Sequence, residues 1–169
     1  MAPGSQAIAK VRPATFPADA EAVSKLFLAY EAFVPVSLDF QNFSREVASL
    51  PGKYAVENGG ALYLAYIETP ESPATGRAVG CLGLRAFTGS ESCELKRLYL
   101  APEARGLGVS KLLMDAAIAK ARELGYKEML LDTLSSMTTA RRLYVNYGFV
   151  EVDAYYESVP DAVFYRLKL

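Results

Sequence analysis

The stretch from Cys93 to Ser110 constrains the fold more than any other. Cys93-Glu94-Leu95-Lys96-Arg97-Leu98-Tyr99-Leu100 reads as a strand, and Arg105-Gly106-Leu107-Gly108-Val109-Ser110 as a tight glycine turn. Val109, Leu112, Leu113, Ala116 and Ala117 then mark the apolar face of a helix, with Lys111, Asp115 and Arg122 elsewhere on its surface. Lys120 and Arg122 suit the C-terminal dipole, Gly125 suits the C′ position, and Met129 to Leu134 follows as an apolar, buried strand. A strand, a crossover helix and a second strand demand a parallel pair inside a sheet. The first amides of the helix lack intrahelical acceptors and sit at its positive end. A glycine turn leading into them therefore suits phosphate oxygens.

The flanking segments predict antiparallel strands around this unit. Ala7 to Arg12 reads as a strand ended by Pro13, and Ala61 to Ile67 and Ala78 to Phe87 as a hairpin joined by the turn-forming segment Thr69 to Gly76. Val23, Leu26, Phe27, Tyr30 and Val34 predict a helix between Pro17 and Pro35, and Phe43, Val47 and Leu50 a second one from Asn42 to Leu50. Thr138 to Tyr147 reads as a short helix closed by Gly148, with final strands at Phe149 to Tyr155 and Val163 to Leu169. The fold class is α/β, with a mixed, mostly antiparallel sheet of about seven strands and flanking helices. The expectation is a single domain over residues 1–169 with a frayed start at Met1 to Gln6.

Composition excludes several kinds of chemistry. The chain has no histidine, which removes histidine bases, Ser-His-Asp and Cys-His catalysis and most zinc sites. Its two cysteines, Cys81 and Cys93, lack metal or redox spacing and read as small buried apolar residues. No metal site is expected. A formal charge of −1 provides no field for nucleic acid or an anionic membrane. No window is long and apolar enough to span a bilayer, so a soluble, cytoplasmic protein is expected.

The glycine turn fits neither common nucleotide loop. A P-loop needs G-x-x-x-x-G-K-[ST], which is absent, and the dinucleotide fingerprint needs a third glycine where Lys111 stands. Arg105-Gly106-Leu107-Gly108-Val109-Ser110 instead resembles the acyl-CoA-binding pattern (Arg/Gln)-x-x-Gly-x-(Gly/Ala) of the GCN5-related N-acetyltransferases, with Ser110 in place of the final Gly or Ala. Ala140-Arg141-Arg142-Leu143-Tyr144-Val145-Asn146-Tyr147-Gly148-Phe149 resembles the second signature of that family, A-x-x-L-Y followed by G-F. The resemblance follows the element order over nearly the whole chain and is strongest from Cys93 to Phe149. Met137 stands where the family often has an asparagine.

This resemblance implies two central parallel strands that splay apart around an acyl-CoA. Leu98, Tyr99 and Leu100 would hold its pantetheine arm, with the Leu100 amide on the thioester carbonyl. Arg105, Gly106, Leu107, Gly108, Val109 and Ser110 would hold its pyrophosphate. Tyr144 would contact the donor and protonate the departing sulfur. Acetyl-CoA is then the co-substrate, and the acceptor a primary amine of a small molecule, amino acid or peptide.

An alkylammonium with a pKa near 10.4 must lose a proton before it attacks. Without histidine, a carboxylate or a water relay has to take it. Glu94 is the candidate base, because strand alternation without a bulge puts Glu94, Lys96, Leu98 and Leu100 on one face. The competing reading of Glu94 is an ion pair with Lys96 or Arg97. For the acceptor, the resemblance points to Tyr30, Phe33, Phe40, Phe43, Tyr155 and Tyr156, with Glu31, Asp39, Glu157 and Asp161 nearby. It also offers the final strands as a homodimer contact. The rival functions are a catalytically silent acyl-CoA sensor and a partner-binding domain without a cofactor.

Overall fold

The computed structural model describes residues 7–71 and 76–169. The frayed start expected at Met1 to Gln6 and the middle of the turn before Gly76 lie outside these residues. The chain runs β1 (Ile8–Pro13), α1 (Ala20–Phe33), α2 (Phe43–Ala48), β2 (Ala61–Glu68), β3 (Gly80–Ala86), β4 (Ser92–Leu100), α3 (Val109–Glu123), β5 (Glu128–Leu134), α4 (Thr138–Asn146), β6 (Val150–Val152) and β7 (Ala162–Lys168). The seven strands form one sheet in the order β1-β2-β3-β4-β5-β7-β6. Every neighbouring pair is antiparallel except β4 and β5, which the α3 crossover makes parallel.

Each face of the sheet carries its own apolar cluster. On one side α3 packs Val109, Leu113, Met114, Ala117, Ile118 and Ala121 against Leu82, Leu84, Leu95, Met129 and Leu131. Full burial of a side chain such as Leu113 or Met114 contributes about 2 kcal/mol. The helix meets the sheet through four-residue steps from Val109, and Leu112, expected on that face, is 40% exposed. On the other side Val23 and Phe27 of α1 and Phe43 of α2 pack over Leu62, Leu64 and Cys81. Both cysteines are buried, and loss of solvent pushes each thiol up to about 12, which suits inert packing residues.

Some boundaries differ from the sequence expectation. The second helix is shorter than Asn42 to Leu50, because Asn42 takes a left-handed φ of 55° that a helix cannot continue. The strand expected to reach Tyr155 stops at Val152, and Tyr155 and Tyr156 instead pack edge-on against Phe164 at 4.9 and 5.1 Å. Among the described residues, no helix is long and apolar enough to cross a membrane.

Candidate active site

The parallel strands β4 and β5 pair at only three positions, Ser92↔Glu128, Cys93↔Met129 and Glu94↔Leu130. Beyond Glu94 they part, which leaves backbone groups on their facing edges without a strand partner. The cause lies in β4. Between the pairs Gly83↔Lys96 and Cys81↔Tyr99, β3 has one residue, Leu82, whereas β4 has Arg97 and Leu98. This is a β-bulge, and Arg97 adopts a φ of 60°, a strained value for a side chain of its size. The extra residue inverts the alternation that the sequence suggested. Glu94 and Lys96 share the α1 side with Tyr99, whereas Leu100 falls on the α3 side with Leu95.

Leu100 retains a usable backbone edge. Ala101 donates its N–H to the Val79 carbonyl at 2.8 Å, so strand alternation turns the Leu100 N–H and carbonyl toward the open side facing β5. Consistent with that direction, Arg105 Nε donates to the Leu100 carbonyl at 3.3 Å, and its guanidinium lies 5.0 Å from the Phe33 ring centroid.

The glycine turn is open around both of its glycines. Gly106 and Gly108 hold φ values of 77° and 76°, which favour glycine, and a Cβ on either would meet no atom within 4 Å. Leu112 is the first residue of α3 whose N–H reaches a turn carbonyl, Gly108 at 3.3 Å. The amides of Val109, Ser110 and Lys111 therefore open outward at the positive end of a fifteen-residue helix. Backbone donors at an open helix start, beside a turn with room around its glycines, fit the pyrophosphate of an acyl-CoA.

The splay and the turn border one cavity of about 500 Å³. Leu98, Tyr99, Leu100, Arg105, Gly106, Ser110 and Tyr144 line it, as do Tyr30 and Phe33 of α1. Leu107, Gly108 and Val109 border the turn without lining the cavity. Val109 points its side chain into the core, and Leu107 is exposed. Met137 lines the cavity at the start of α4, where its sulfur accepts a 3.7 Å contact from the Thr133 hydroxyl.

Tyr144 is 5% exposed, with its ring 5.8 Å from Phe149 and 6.2 Å from Tyr165. Burial, reinforced by Tyr30 and the charge of Asp132, pushes its phenol up, so the hydroxyl keeps its proton at neutral pH.

Glu94 is also 5% exposed but does not line the cavity. Its Oε1 accepts from Arg85 Nε at 3.3 Å, and its Oε2 is buried without a partner among the described residues. Glu46 of α2 holds Arg97 through Nε at 2.8 Å and Nη2 at 3.2 Å, and contacts Arg85 at 3.4 Å. Lys96 Nζ donates to Asp132 Oδ1 at 3.2 Å. The three carboxylates thus meet three cations, which offsets the desolvation of a largely buried network.

Other proposed acceptor residues scatter. Phe43 lies in the core, Phe40 is half-exposed, and Glu31, Asp39, Glu157 and Asp161 do not line the cavity. The residues that sequence reasoning passed over are Asp132 and Gln41. A signal existed for Asp132: one charge inside the otherwise apolar run Met129-Leu130-Leu131-Asp132 has to be paired or functional. Among the described residues there is no metal-binding cluster of Cys, Asp and Glu.

Comparison with known proteins matches this geometry. A model of the acetyltransferase (GNAT) family matches residues 30–149. An uncharacterized N-acetyltransferase of Schizosaccharomyces pombe is 34% identical over 100% of this chain and 98% of its own length. Another, from Dictyostelium discoideum, is 33% identical over 87% of this chain and 93% of its own. Among solved structures, a GNAT-family acetyltransferase of Staphylococcus aureus superposes with a TM-score of 0.74 at 20% identity, covering 95% of this chain and 99% of that one. The PaiA N-acetyltransferase of Thermoplasma acidophilum, solved with coenzyme A, superposes with a TM-score of 0.70 at 17% identity, covering 96% and 99%. On the fold, the splayed strands, the open helix start and these matches, the chain belongs to the GNAT acetyltransferase family.

Proposed function

We propose that this protein transfers the acetyl group of acetyl-CoA to a primary amine of a small molecule, amino acid or peptide by direct attack on the thioester. One observation carries the reading. The open start of α3, the unpaired edge of β4 and the protonated hydroxyl of Tyr144 all meet around a single cavity. The coenzyme A held by the Thermoplasma neighbour supports the same donor.

The chain's own groups divide the work along that cavity. Arg105 and the amides from Leu107 to Lys111 hold the pyrophosphate, with Ser110 adding a hydroxyl. The β4 edge from Leu98 to Leu100 aligns the pantetheine arm, and the Leu100 N–H stabilises negative charge on the thioester oxygen. Tyr144 supplies a proton to the departing sulfur, whose reference thiol pKa is near 8.5. The acceptor amine enters on the α1 side past Tyr30 and Phe33.

The test is an assay of free CoA release from acetyl-CoA over a panel of amines, paired with the melting temperature. Release with at least one amine is expected, together with a rise in melting temperature on adding acetyl-CoA. A raised melting temperature without release from any amine would favour a silent acyl-CoA sensor. No rise at all would point to a domain without a cofactor.

A further inference from the structure

The sequence offered Glu94 as the base, yet three carboxylates gather at the parting strands. Glu46 and Glu94 stand behind the cavity wall, paired with Arg85 and with Arg97, which itself lines the cavity. Asp132 is the only carboxylate lining the cavity among the described residues. It follows Leu130, the last β5 residue paired with β4, by two positions, and Lys96 follows Glu94 by two on the other strand. The two side chains meet at 3.2 Å across the base of the opening, and Lys96 is 4% exposed. Tyr144 lines the same cavity from α4, so a proton donor and a carboxylate border one volume.

We infer that Asp132 takes the proton of the attacking amine and that Lys96 is its positioning partner; this rests on the amine-acetylation reading above. The amine lone pair forms the N–C bond to the thioester carbonyl carbon, and the N–H proton passes to an Asp132 oxygen. The C–S bond breaks, and the sulfur takes the proton of Tyr144. The products are an amide and a free thiol. Asp132 then releases its proton to water and Tyr144 regains one. Lys96 holds the Asp132 carboxylate in place at 3.2 Å, and a cation there disfavours an ammonium beside it, which keeps the acceptor in its nucleophilic form. The groups facing Asp132 are Lys96 from β4, Tyr144 from α4, Tyr30 from α1 and Tyr155 and Tyr156 from the loop before β7, with Glu94 and Arg97 beside Lys96. The charge of Asp132 helps raise the phenols of Tyr144, Tyr30 and Tyr156, as expected if all border it.

The experiment uses an amine that the unaltered protein acetylates, and compares Asp132→Asn, Glu94→Gln and Lys96→Met over a range of pH. Asp132→Asn should lower kcat at least about 100-fold, more than Glu94→Gln does, and should keep the rise in melting temperature with acetyl-CoA. Its remaining rate should climb with pH as free amine accumulates. Lys96→Met should lower kcat while leaving the KM for acetyl-CoA in place, with part of the rate restored in Lys96→Arg, which a purely structural lysine would not do. If Asp132→Asn fails to fold because Lys96 is left unpaired, the double variant Asp132→Asn/Lys96→Met should fold, show the acetyl-CoA shift and be inactive. The inference is overturned if a folded Asp132 variant keeps its rate, loses the acetyl-CoA shift, or is less impaired than Glu94→Gln. It is also overturned if Lys96→Met leaves kcat in place. Failure of every amine with the unaltered protein would overturn the amine reading itself.

Discussion

Tyr144 divides its surroundings between ring and hydroxyl. Phe149 and Tyr165 fix the ring, whereas the hydroxyl, with no hydrogen-bond partner among the described residues, belongs to a residue that lines the cavity. Replacing it with phenylalanine removes the donor and preserves the packing. Tyr144→Phe is expected to lower turnover at least about tenfold while leaving acetyl-CoA binding intact; an unchanged turnover number would remove it from the chemistry. Gly108 poses a different problem, since its φ of 76° rather than crowding is what restricts the position. Gly108→Ala should cost about 1 kcal/mol in stability and weaken acetyl-CoA binding, because a methyl group would project from the turn expected to hold pyrophosphate. Calorimetric titration and thermal melting check the two effects separately.

Among the elements, the junction of β1 and α1 depends on a charge pair. Arg12 donates to both oxygens of Asp19, at 2.7 and 2.9 Å, and the Thr15 N–H donates to the same carboxylate at 2.7 Å. These bonds, the one to Arg12 foremost, hold the Asp19 carboxyl well below the ordinary value of 3.8 despite its burial. The folded state therefore binds fewer protons than the unfolded chain in that range. The stabilisation is complete above the unfolded value and is lost as pH falls through it toward the lower folded one. Arg12 is nearly half-exposed, so solvent screens part of the pair. Asp19→Asn should cost about 1 kcal/mol near neutral pH and flatten the acid limb of stability; denaturant melts at several pH values measure both.

Across the molecule, the sheet is continuous except where the site lies. Seven strands are joined edge to edge, but β4 and β5 share only their first three pairs before diverging. Backbone groups past that point have to be satisfied by solvent or by a ligand. Acetyl-CoA should therefore slow amide hydrogen exchange in residues 95–100 and at the start of α3, and leave the β1–β2 hairpin little changed. Uniform exchange across the chain after addition would argue against binding in the splay.

Element order, the α3 crossover and the phosphate-ready turn were legible because they depend on local patterns: apolar periodicity, glycine at left-handed positions and open amides at a helix start. The short helix that carries Tyr144 was legible because its motif surrounds it in sequence. The bulge at Arg97 and Leu98 was not, since it exists only relative to Leu82 on the neighbouring strand, and that one extra residue moved Leu100 to the face opposite Glu94. Asp132 was passed over inside a strand read as apolar, and only the parting of β4 and β5 set it opposite Lys96. The sequence by itself determined which elements form and where a glycine turn leads into an open helix start. Only the tertiary structure decided which carboxylate reaches the cavity, because that depends on register between strands distant in the chain.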